Sequence, residues 1–133
     1  MKPQPLGLLL LCVLPVFSLA APTDNAGFVQ GLWYSTYTPL ADDPIRMYAA
    51  VRNNTGADLA GTVEFYVNDD RIARTNVTAL DGRIVETWAD WTPTYGEHTI
   101  RAELSRVVLS SAGGNEERGI ITATIAEDSL FVD

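Results

Sequence analysis

Apolar and polar residues alternate with a period of two along most of this chain. Ile45, Met47, Ala49 and Val51 share one face of the run Ile45–Arg52. Val63, Phe65 and Val67 do the same in the next run, and His98, Ile100, Ala102 and Leu104 in a third. Ile121, Ala123 and Ile125 repeat the pattern near the end. Period-two alternation predicts strands with one buried face and one wet face. Turn chemistry separates the runs. Asn53–Asp58 joins two strands, Asn68-Asp69-Asp70 reads as a tight hairpin, and Asp81-Gly82 reads as a second two-residue hairpin. Between Leu104 and Val107 the inward set shifts from even to odd positions, which predicts a β-bulge or a strand end around Ser105-Arg106. Seven or so short strands with no helical period predict an antiparallel sandwich. Met47, Val51, Phe65, Ile100 and Ile125 are the expected core.

The stretch Trp88–Leu104 asks for a closer reading. Trp88 and Trp91 are three residues apart, so a regular strand points them to opposite faces. Trp91 is expected in the core and Trp88 outside, with Glu86 and Asp90 on its face. Pro93 cannot donate to a ladder, so it ends the strand, and Gly96 permits the turn into the next. The stretch therefore reads as strand, corner, strand.

Trp91-Thr92-Pro93-Thr94-Tyr95-Gly96-Glu97-His98-Thr99-Ile100-Arg101-Ala102 resembles the W-x-P-x-x-G-x-H-x-I-x-A stretch of CARDB-type domains. Ala50-Val51-Arg52-Asn53-Asn54-Thr55-Gly56 resembles their strand-plus-turn, Gly61–Val67 their next strand and Arg71-Ile72-Ala73 the return. The resemblance covers roughly Ile45–Leu104. It implies an immunoglobulin-like fold from prokaryotic surface or secreted proteins related to adhesion, and it brings no catalytic motif.

The first residues bear on the compartment. Lys2 precedes an apolar run from Leu6 to Ala21, and polarity begins at Thr23-Asp24. Ser18 and Ala20 stand at −3 and −1 of a cut after Ala20. Residues 1–20 thus read as a secretory signal peptide and 21–133 as one domain. The 16-residue run is short for a bilayer span, and an uncleaved anchor is the alternative. Cys12 lacks the small preceding residue of a lipidation site. The mature chain has no cysteine and no lysine, which removes disulfides and Schiff-base chemistry. Eight arginines against 17 acids leave it at −9. That balance argues against nucleic acid and against anionic membrane surfaces.

Candidate chemistry is sparse. Trp88, Trp91, Trp33, Tyr34 and Tyr37 could stack sugar rings, although large aromatics usually serve burial. His98 is the only histidine, too few for a zinc site, and no nucleophile elbow accompanies it. Asp42-Asp43, Asp69-Asp70, Glu116-Glu117 and Glu127-Asp128 lack the spacing of a calcium loop and fit solvated turns. Asn53 and Asn76 head N-glycosylation sequons. No cofactor or metal is expected. Binding is expected on loops, at Asn53–Leu59 and at Ser111–Gly119 with Asn115, Glu116 and Glu117, because a filled sandwich interior leaves no pocket. The leading expectation is a non-enzymatic secreted or cell-surface module with a structural or adhesive role, alone or within a larger protein. A carbohydrate-binding module on the same sandwich is the alternative.

Overall fold

A computed structural model of the chain describes residues 3, 25–111, 120–121 and 123–133. Apart from residue 3, the proposed signal peptide lies outside the described residues, as do Asn115, Glu116 and Glu117. Nine strands are described: β1 (Asn25–Phe28), β2 (Trp33–Tyr34), β3 (Ile45–Asn53), β4 (Asp58–Val67), β5 (Asp70–Ala79), β6 (Ile84–Trp91), β7 (Gly96–Ser110), β8 (Ile120–Ile121) and β9 (Ile125–Val132). No helix among the described residues is long and apolar enough to cross a membrane.

The strands form two sheets packed face to face. In the first, β3 pairs along eight residues with β6 on one side. Its other side pairs with β1 and then β2, which act as one interrupted edge. The interruption falls at Gln30, whose φ of 71° no extended strand tolerates. β8 adds a two-residue parallel contact to β1, the one departure from antiparallel pairing among the described strands. The second sheet runs β5-β4-β7-β9, antiparallel throughout. Met47, Val51, Phe65 and Ile100 are fully buried between the sheets.

Local chemistry explains several joints. Asn68 and Asp69 both take positive φ (49° and 69°), as the centre of a twisted two-residue hairpin requires, and Val67 pairs with Asp70. On β7 the expected bulge is present. Ala60 pairs with Val108 and Thr62 with Ser105, so two residues oppose Gly61 alone. Arg106 absorbs the extra residue at a φ of 53°. A Cβ on Gly61 would stand 3.3–3.4 Å from Leu104, Ser105 and Val107, so the bulge closes against a bare backbone.

Two expectations are corrected. Asp81-Gly82 does not close a hairpin, because β5 belongs to the second sheet and β6 to the first. It is a crossover: Arg83 N–H donates to Leu80 C=O at 3.0 Å, and only Gly82 takes a left-handed φ, of 73°. That is the pattern of a type II turn. Ile125 is not core but 55% exposed. Ala123, with a φ of 50°, breaks the alternation between β8 and β9. The inward set of β9 becomes Ala126, Leu130 and Val132.

Asn53, at the end of β3, is fully buried and binds that end of the sandwich together. Its amide Nδ2 donates to Ala57 C=O (2.6 Å) and Ala79 C=O (2.8 Å). Its Oδ1 accepts from Thr55 N–H (3.1 Å) and lies 2.7 Å from the Thr55 hydroxyl. Its own N–H and C=O bond to Arg83 C=O and Gly82 N–H. The connection Asn53–Leu59 is thus anchored inward by buried Thr55 and Ala57, while Asn54, Gly56 and Asp58 stay exposed. Of the two sequons, Asn53 is inaccessible in the fold and Asn76 is exposed. Asn53→Ala leaves two carbonyls and an amide without their partner. It is expected to cost about 2–4 kcal/mol, from the desolvation penalty of orphaned buried groups. Urea melts check this, and a loss under about 1 kcal/mol contradicts it.

At the other end, Trp91 stands half-buried against the core, at the corner but less enclosed than expected. It meets His98 edge-on at 5.0 Å, and Pro93 beside it is fully buried. His98 Nε2 lies 2.7 Å from Thr94 C=O, so Nε2 carries the hydrogen. Asn68 Oδ1 accepts from Thr99 N–H, so its amide nitrogen faces His98 Nδ1 at 2.8 Å and donates to it. His98 thus ties the corner to the β4–β5 hairpin, and its role is structural. Trp91→Ala is expected to cost about 2–3 kcal/mol, below the full-burial range. Trp88→Ala should cost clearly less. Equal losses in denaturant melts would falsify the face assignment.

Candidate functional surface

The even positions of β6 face outward, so Glu86, Trp88 and Asp90 stand on the outer face of the first sheet. Register places Trp88 opposite Tyr48 on β3 and Tyr48 opposite Trp33 on β2. Three aromatics from three strands therefore form one row. Trp33 and Tyr48 stack nearly parallel, with centroids 5.5 Å apart and planes 7° apart. At the free end of the row Trp88 is 48% exposed. The Arg46 guanidinium sits 3.9 Å from the Trp88 ring centroid. Asp90 holds that guanidinium by two bonds, of 2.7 and 3.0 Å. This bonding to Arg46 lowers the Asp90 carboxyl from the usual range.

The five aromatics weighed as a sugar platform do not assemble as one. Trp33 and Trp88 share the outer face, and Tyr48 joins them. Trp91 turns inward. Tyr34 is buried, and its hydroxyl donates to Asp128 at 3.0 Å. Burial first, and the Asp128 bond second, push the Tyr34 hydroxyl far above the ordinary tyrosine range. Tyr37 packs edge-on against Tyr34. Tyr48 escaped the sequence reading because only strand register brings it beside Trp33 and Trp88.

The outer face of the second sheet is laced with ion pairs. Glu64 accepts from Tyr66 (2.9 Å), Arg71 (3.3 Å) and Arg74 (3.3 Å). The Tyr66 bond is the chief cause of the lowered Glu64 carboxyl. Arg101 bridges Asp69 (2.6 Å) and Glu103 (2.9 Å) over the Tyr66 ring. Those charges satisfy one another and leave little for a partner.

The expectation that no pocket exists is corrected at the side of the sandwich. Where the edge strands β5 and β6 run past each other, a groove of about 460 Å³ opens between residues 73–78 and 85–90. Trp88 and Asp90 line it as well. The aromatic row and the groove meet at Trp88.

These features lie on an antiparallel β-sandwich whose fold is similar to that of CARDB domains. The fold is similar to the CARDB domain of the PF1109 protein from Pyrococcus furiosus, solved in complex with di-metal ions. The TM-score is 0.61 at 17% identity, over 81% of this chain and 87% of that one. A solution structure of the same domain gives 0.55 at 16%, over 82% and 96%. A β-glucosidase, EmGH1 from Erythrobacter marinus, contains a similar fold. It matches at 0.58 and 14% identity, over 81% of this chain but 15% of that one. No protein-family model and no curated protein matches the chain in sequence. Among the described residues no group of three or more His, Cys, Asp or Glu side chains is placed to hold a metal ion.

The Asp90–Arg46 pair gives a pH test. A lowered folded carboxyl stabilises above the unfolded aspartate range near 3.9 and loses that contribution as pH falls through its folded value. Asp90 is expected to titrate below the ordinary aspartate range, and its protonation should release Arg46 from Trp88 and shift the Trp88 emission. In Arg46→Gln the titration should return toward the ordinary value. Carboxyl NMR follows both, and identical curves contradict the arrangement.

Proposed function

We propose that this chain is a non-enzymatic, exported immunoglobulin-like module with a structural or adhesive role at a cell surface. The observation that carries the reading is the exposed row Trp33–Tyr48–Trp88. Large aromatics left half-open on a sheet face, in a chain that can bury aromatics elsewhere, mark a contact surface. The resident Arg46 fits it, since Trp, Tyr and Arg are the residues that anchor interfaces. The likeness in fold to CARDB domains supports a binding module over a catalyst. The match to a small part of the E. marinus β-glucosidase is an instance of such a sandwich inside a longer chain. The apolar run after Lys2 supports export, with a cut after Ala20.

The test has two arms. Cells that make the protein are fractionated, and the exported product is sequenced from its N-terminus. The expected start is Ala21 in the envelope or medium. Beads coated with residues 21–133 are then scored for adhesion to the producing cells. Trp33→Ala combined with Tyr48→Ala should lower adhesion several-fold while near-ultraviolet dichroism reports a folded domain. A cytoplasmic product, or adhesion unchanged by the double variant, overturns the proposal.

A further inference from the structure

We propose that the groove between β5 and β6 binds an extended, uncharged polysaccharide. This rests on the reading of the chain as a non-enzymatic surface module and names its partner class.

Shape comes first. Six residues of each strand line the groove, a length of roughly 20 Å at the rise of a strand. It suits a linear chain lying along it more than a small molecule enclosed by it. Small side chains widen it: Ala73 from β5, and Thr87 and Ala89 from β6, occupy lining positions where larger groups would fill the gap.

Chemistry comes second. A sugar ring offers hydroxyls that both donate and accept, and C–H faces that pack on aromatic rings. The groove supplies both kinds of partner. Asn76 brings an amide with donor and acceptor, Thr78 a hydroxyl and Glu86 an acceptor, all on exposed positions. Trp88, on the outer face where β6 borders the groove, exposes its ring beside it.

Charge comes third. The two arginines near the groove are already paired, Arg74 with Glu64 at 3.3 Å and Arg46 with Asp90 at 2.7 Å. Glu86 adds negative charge beside them. The mature chain's net charge of −9 repels a polyanion. An uncharged chain meets no such repulsion here. A peptide strand could pair with either free edge through its backbone. Such pairing does not need the Trp88 ring or the Asn76 amide, so side-chain truncation separates the two occupants.

The experiment uses residues 21–133 in depletion assays on cellulose and chitin and in fluorescence titrations with laminarin and galactomannan. Polygalacturonate serves as the anionic comparison. At least one uncharged polysaccharide should bind. Trp88→Ala and Asn76→Ala should each weaken that binding by roughly tenfold or more. Tyr95→Ala, which removes an exposed ring beside Phe131 and not in the groove, should bind as the parent does. Melting curves establish that each variant is folded, and Asn76→Ala keeps the test decisive if Trp88→Ala is not. The proposal is overturned if none of the uncharged polysaccharides binds, if both truncations bind as the parent, or if polygalacturonate is preferred. Cell adhesion that survives Asn76→Ala removes the groove while leaving the surface-module reading standing.

Discussion

The carboxamide of Asn53 is the constraint on which much of this architecture depends. One side chain meets the end of β3 in the first sheet, the start of β4 and the end of β5 in the second, and lies beside the turn that returns to β6. A buried amide has fixed donors and acceptors, and here each finds a partner. Apolar packing alone would let these segments slide. Hydrogen bonds with direction do not, and leaving any of them unmade costs more than making it gains. Asp81 and Asp58 reinforce the same end: Asp81 accepts from Gly56 N–H at 2.9 Å, and Asp58 accepts from Asp81 N–H at 3.1 Å. Asn53 thereby fixes where β6 begins relative to β5, and so the line of the groove.

The two sides of the sandwich differ for physical reasons. On one side Tyr34, buried in the first sheet, reaches Asp128 on β9 of the second, and a hydrogen bond closes the gap. On the other side small residues on β5 and β6 leave the sheets apart. The outer faces differ as well. Around Glu64 and Arg101 the side chains of Arg71, Arg74, Asp69 and Glu103 pair with close counter-ions, which suits a face that meets only water. Opposite it, Trp33, Tyr48 and Trp88 expose ring surface that water serves poorly. An asymmetric molecule of this kind has one direction from which a partner gains most.

Much of this was legible in the chain itself. Alternation identified β3, β4 and the first part of β7 and which of their residues face inward, because period two is a property of extended backbone. The Asn68-Asp69 hairpin was readable because few residues besides Asn, Asp and Gly tolerate two successive positive φ values. The bulge at Arg106 showed as a shift of parity between Leu104 and Val107. Trp88 outside and Trp91 turned inward followed from an odd spacing on one strand.

Pairing was decided elsewhere. Alternation says which face of a strand is buried but not which sheet it joins, since both sheets present equally apolar inner faces. Asp81-Gly82 therefore looked like a hairpin and is a crossover, and the groove that the crossover frames could not be foreseen. Ile125 looked inward because the kink at Ala123 leaves no mark in the pattern of apolar residues. Tyr48 looked like any outward tyrosine until register set it between Trp33 and Trp88. Composition and local backbone preference, acting within a few residues, determined the strands and their turns. The contact surface was decided by register and crossover, which depend on residues on separate strands meeting in the folded chain.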